Sequence, residues 1–204
     1  MEPISIDQEE WSSFFEELKE ESDRAAAILV AAYIDSLLQA KLEVLFCKGN
    51  SETRRKLFDS QGAFATFSAK VDAAYCLGWL EPNVFHDIGI IRKIRNEFAH
   101  RIHGRTFEES KIKTLVRMLE IPHQLFYDWD SIKWGTLQEK AGIVLFSGEP
   151  VDNIENISDF PTGFMFRIAA SRVLGLLAKN LELGFHGADG SPLKFRLVSE
   201  LENE

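Results

Sequence analysis

Ala27, Ala31, Ile34, Leu38, Leu42 and Leu45 recur at the i, i+4, i+7 spacing that lays apolar side chains along one face of a helix, with Asp35, Gln39 and Glu43 as the opposite, wet stripe. Such a helix has to bury its apolar face against other elements. Its neighbours in the chain repeat the pattern. Glu9 to Glu20 carries Trp11, Phe14, Phe15 and Leu18, and a further stretch carries Phe64, Phe67, Val71, Ala74 and Leu77. Ile88, Ile91, Ile94 and Phe98 form another apolar face, Phe107 to Leu119 a fifth segment, and Phe166, Ala170, Val173, Leu174, Leu177 and Leu181 mark a helix over 164–183. Helices that meet along such faces pack as an up-and-down bundle.

Punctuation agrees with that periodicity. Ser22 or Asp23 suits the cap of the long helix, whose first backbone donors lack partners. Gly49-Asn50-Ser51 ends it, 57–64 is turn-prone, and Pro82 opens the next helix. Gly104 and Pro122 read as stops, and Gly184 as a C-cap. The expected fold is mostly α. A helical bundle spans 1–122, and an extension over 123–204 packs on it through the 164–183 helix. Gly142 to Gly148 is a short apolar run that periodicity assigns to neither helix nor strand. Leu193, Phe195 and Leu197 alternate with Lys194, Arg196 and Val198, which allows a short strand pair.

Composition narrows the function classes. The longest apolar run, Ala25 to Ile34, stops at Asp35, short of the ~20 residues of a membrane span, so none is expected. Met1-Glu2-Pro3 lacks the basic and apolar regions of a secretory signal, and Cys47 and Cys76 read as reduced thiols; a cytoplasmic location is expected. The net charge is −9, which argues against general nucleic-acid binding, because duplex affinity comes mainly from neutralising phosphates. Between Arg92 and Arg105, however, five cations (Arg92, Lys93, Arg95, Arg101, Arg105) face one anion, Glu97, leaving −13 for the rest of the chain. Arg92, Lys93, Arg101, His103 and Arg105 are therefore candidates to bind a phosphate or an acidic partner; a solvated helix face is the alternative.

Chemistry-bearing patterns are few. His86, His103, His123 and His186 lack ligand-like spacing, and His100 with His103 would need a carboxylate to hold a metal, so no metal or cofactor is expected. Gly187 and Gly190 are not followed by the Lys-Ser pair of a phosphate loop, and no nucleophile elbow occurs.

The run Ile91-Arg92-Lys93-Ile94-Arg95-Asn96-Glu97-Phe98-Ala99-His100 resembles the signature of HEPN domains, an arginine followed by a polar residue with histidine five places after the arginine. Many HEPN domains are metal-independent ribonucleases, and others are helical adaptors. The resemblance implies that His100 would exchange a proton with a ribose 2′-hydroxyl or the leaving oxygen. Arg95, beside Asn96, would neutralise charge at phosphorus. On a regular helix Arg95 and His100 lie about 140° apart, so one chain does not face them toward each other, whereas Asn96 and His100 are neighbours. The structural alternative has Arg95 and Arg24 packed against carboxylates, with Asp23, Asp35, Asp72, Asp87 and Glu97 available.

Three ordered segments within residues 22–103 resemble the MltR (mannitol operon repressor) family. They are Glu21 to Ile28, Gly62 to Gly78 with its glycine-led loop and Leu-Gly pair, and Ile91 to His100. Ala63 stands where the pattern has proline. The resemblance implies a cytoplasmic helical regulator working through protein contacts. The expected function is thus a regulatory or interaction protein that binds another protein or a second copy of itself, without direct duplex DNA binding. The alternative is a ribonuclease using Arg95, Asn96 and His100, with RNA as substrate. An immunity or antitoxin-like protein rests on the acidic charge alone.

Overall fold

The computed structural model describes residues 5–7, 14, 17–18, 20–46, 50–100, 105–127, 160–180 and 184–186. The long helix, α1 (Asp23–Leu45), begins as its sequence requires: the Ser22 hydroxyl accepts the Ala25 N–H at 3.3 Å. The same capping recurs at α2 (Ser51–Phe58), where the Asn50 side chain accepts the Thr53 N–H. At α3 (Phe67–Cys76) Thr66 accepts the Ala69 N–H. In each case a short oxygen-bearing side chain satisfies a first-turn donor. Helix α4 (Pro82–Ala99) opens on Pro82, whose missing N–H would have no partner there. Next come α5 (Ser110–Arg117), α6 (Glu120–Tyr127) and α7 (Thr162–Asn180). Ser5–Asp7 (β1) pairs in parallel with Gly184–His186 (β2), Ile6 opposite Phe185.

The fold is a mostly α-helical bundle, as the periodicity indicates. Helix α4 is its centre and touches α1, α3, α5, α6 and α7. Its face Val84, Ile88, Ile91, Ile94 and Phe98 is fully buried, together with Ala26, Ala27, Val30, Ile34, Leu38 and Leu42 of α1. Phe166, Ala170, Val173, Leu174 and Leu177 of α7 complete this core, and Phe107 sits edge-on to Phe98 and against Phe166. By length and hydropathy (1.5) α1 passes as a membrane span, contrary to the expectation from its longest apolar run. Its packing accounts for that apolarity, since the buried face lies against α3, α4 and α7. Asp35 interrupts it and pairs with Lys70 of α3 at 2.8 Å, while Lys70 also donates to Gln39 at 2.9 Å.

Several boundaries differ from the sequence reading. Helix α2 has no buried residue, so no apolar stripe announces it; the i, i+4 pairs Lys56–Glu52 and Arg55–Asp59 lie along it. Helix α4 ends at Ala99 rather than at Gly104, which lies outside the described residues. The stretch 107–119 forms the shorter α5, and Pro122 does not end a helix but lies in the first turn of α6. Proline is tolerated there because first-turn donors have no intrahelical acceptor. Leu77, expected in the core, is 45% exposed because α3 has already closed. Gly78 takes a left-handed φ of 74°, the Trp79 N–H returns to the Ala74 carbonyl, and the Gly78 N–H to that of Tyr75. The expected residues Leu181, 142–148 and 193–198 lie outside the described set. Of the 9–20 stretch, Phe14, Glu17, Leu18 and Glu20 are described and helical, with Leu18 fully buried.

One carboxylate joins the central helix to its neighbour. Asp87 sits in the buried face of α4 with no exposure, and its two oxygens accept the Glu120 N–H (2.8 Å) and the Ile121 N–H (2.9 Å). It therefore caps α6 from another helix. Asp87→Ala is expected to lower stability by roughly 2–3 kcal/mol, the cost of leaving a buried and a part-buried N–H at the start of α6 without their acceptor. Urea unfolding measures it; a midpoint equal to wild type would contradict the cap.

Candidate functional site

Arg92, Lys93, Arg95 and Asn96 come from the second half of α4, whose apolar positions turn inward, and His100 follows as its C-cap. Phe85, Gly89, Arg92 and Asn96 follow at i, i+4, i+7 and i+11, so they share the face opposite Ile91, Ile94 and Phe98. Lys93 is exposed along the edge of that face. Tyr75, at the end of α3, stacks on Phe85 with centroids 4.2 Å apart.

Arg95 does not reach a carboxylate, contrary to the packing expected of it. Its Nη1 donates to the Asn96 side-chain oxygen at 3.0 Å. The carboxylates expected to hold it have other partners: Asp35 takes Lys70, Asp87 the start of α6, Asp23 the Phe107 N–H, and Glu97 two other cations. Asp72 is exposed, and Arg24 is partly buried. His100 is the C-cap of α4, with its N–H on the Asn96 carbonyl and its side chain exposed. The motif thus places Arg95 and Asn96 in contact, and leaves His100 beyond the helix end.

The basic island is divided by the fold. Arg105 turns inward: its side chain is 7% exposed and meets Glu97 at 2.6 Å and Glu109 at 3.4 Å. Lys111 adds a second cation to Glu97 at 2.5 Å. Hydrogen bonding from Lys111 first, and from Arg105 after it, holds the Glu97 carboxyl below its ordinary value of 4.5, against an opposing push from burial. Glu108 is likewise lowered, first by Lys113 and then by the Thr162 hydrogen bond at the start of α7. Arg101 and His103 lie outside the described residues. Among the described residues no carboxylate pairs with Arg92, Lys93 or Arg95, although Lys56, Lys70, Arg105, Lys111, Lys113 and Arg167 all have one.

Two polar centres escaped sequence reasoning. Arg167 of α7 donates to the Leu18, Gly163 and Glu21 carbonyls, lies 3.8 Å from Asp23 Oδ1, and covers the Phe107 ring at 5.7 Å. Asp23 in turn accepts the Phe107 N–H at 2.9 Å. Asp87 carried a signal, a carboxylate inside an apolar stripe; Arg167 carried none, because two of its carbonyl partners, those of Leu18 and Glu21, lie far away in the chain.

No family model matches the chain, and no curated protein does. Among solved structures it is similar to a chain of the X-ray structure of the MtlR–HPr complex from Escherichia coli, at 14% identity and a TM-score of 0.46, over 83% of this chain and 97% of that one.

Two measurements check this geometry. Arg95→Ala is expected to cost under about 1 kcal/mol in chemical denaturation, since a partly exposed side-chain pair contributes little; a loss of several kcal/mol would place a carboxylate on Arg95. Glu97 is depressed when folded, so its contribution is present above about pH 4.5 and fades as pH falls through the lower folded value. Glu97→Gln should therefore flatten the decline of Tm below pH 4.5 while lowering Tm at neutral pH, and identical acid limbs would count against the ion cluster.

Proposed function

We propose that this chain is a helical regulatory module that works through protein contacts, without cleaving RNA and without binding duplex DNA directly. The observation that carries the reading is the Arg95–Asn96 hydrogen bond near the C-terminal end of α4, with His100 past the helix end. A phosphoryl-transfer site needs its cation and its general base converging on one reacting group; Arg95 bonded to Asn96, with His100 past the helix end, favours the non-catalytic reading within one chain. The resemblance of three segments to the MltR family supports the same reading. So does the charge balance, because a body of net −13 repels a polyanion around the small basic face.

The purified chain is expected to leave labelled single-stranded RNA intact in EDTA. His100→Ala, at an exposed side chain, should leave the melting temperature unchanged. Metal-independent cleavage abolished by Arg95→Ala or His100→Ala, with folding retained, would establish the ribonuclease instead. A gel shift with duplex DNA at physiological salt, resistant to nonspecific competitor, would overturn the absence of direct DNA binding.

A further inference from the structure

We infer that the outer face of α4, with the end of α3, is a docking surface for an acidic amphipathic helix of a partner protein. This rests on the protein-contact reading and names the surface and the partner's chemistry. Three observations converge on one face. The first is charge: Arg92 and Lys93 have no carboxylate partner among the described residues, in a chain with 32 acidic groups and 23 lysines and arginines. Arg92 is half-buried and Lys93 exposed, so among the described residues this patch keeps cationic charge available to an outside partner.

The second is an apolar anchor at the other end of the face. Tyr75 (40% exposed) stacks on Phe85, and Leu77 (45% exposed) is held out by the Gly78 turn. Aromatic side chains and arginine are the residue types that dominate binding energy at protein interfaces. The third is Gly89, between the two ends. Glycine inside a helix disfavours it by about 1 kcal/mol relative to alanine, yet a Cβ added here would meet nothing within 4 Å, so internal packing does not require the glycine. Its absent side chain leaves a shallow step where another helix can approach the backbone.

Phe85 and Arg92 are seven residues apart, about 10 Å along the axis. A partner helix matches that span with an apolar residue and a carboxylate two turns apart, which is the helix-on-surface mode of recognition. A polyanion such as RNA suits the face less well, since it would run beyond two cations onto an acidic body.

Fluorescence anisotropy with a labelled, Glu-rich synthetic helix bearing Phe and Leu on one face tests this on the full chain. Binding should weaken with salt and by about tenfold in Arg92→Glu and in Gly89→Gln. Gly89→Gln should keep or raise the melting temperature, since glutamine favours helix over glycine. Arg55→Glu, on the exposed α2, should bind as wild type. The inference is overturned if the peptide does not bind, if its Lys-for-Glu counterpart binds as well, or if Gly89→Gln and Arg92→Glu leave affinity unchanged. Tighter binding of oligouridylate assigns the face to RNA. A dimer in light scattering that these two variants dissociate assigns it to a second copy. Either result also overturns the inference. Absent peptide binding with intact RNA removes this inference alone; RNA cleavage without peptide binding removes the protein-contact reading as well.

Discussion

The arrangement of helices depends on a carboxylate placed where an apolar side chain would otherwise go. Asp87 lies within the buried face of α4, and burying its charge is tolerable because two backbone N–H groups of α6 converge on it. Helices of eight residues do not hold together alone, so α6 is tied in its place by an acceptor supplied from the centre of the bundle. The same device recurs at other joints. Asp23 accepts the Phe107 N–H, and Glu108 accepts the Thr162 N–H at the start of α7. Apolar burial stabilises the bundle without direction; these oriented acceptors fix which element starts meet.

How much of this was legible follows from the nature of each signal. Long amphipathic helices with local caps were readable, because the apolar period and the capping residue lie within a few positions of each other. Helix α2 was not, since it buries nothing and leaves no stripe. The break between α5 and α6 was misplaced because a proline reads alike as a stop or as part of a first turn. The partners of the buried cations were hidden for a different reason. Lys70 and Arg167 find their acceptors across the fold, and one sequence contains no measure of that proximity. For the candidate site, the sequence singled out Arg92, Lys93 and Arg105 together as one basic island. It did not separate Arg105, which turns into an ion cluster, from those that face outward.

Helix α4 divides its work by face. The inner side supplies core contacts to five other helices, and the opposite side carries Phe85, Gly89, Arg92 and Asn96, all half-buried, with Phe85 packed against the edge of the core. Arg92 and Asn96 can be substituted without opening the apolar core, because the fully buried side chains of α4 lie on its other side.

The contact of Arg167 with the Leu18 carbonyl joins positions 149 residues apart. A ribosome delivers the chain in order, so the apolar faces of α1 and α4 emerge well before α7 exists to cover them. Phe107, packed in the finished protein between Phe98 and Phe166, spends that interval without its second ring. The core therefore closes late in synthesis, and the growing chain carries an open apolar seam that aggregation can exploit and that chaperones are suited to shield.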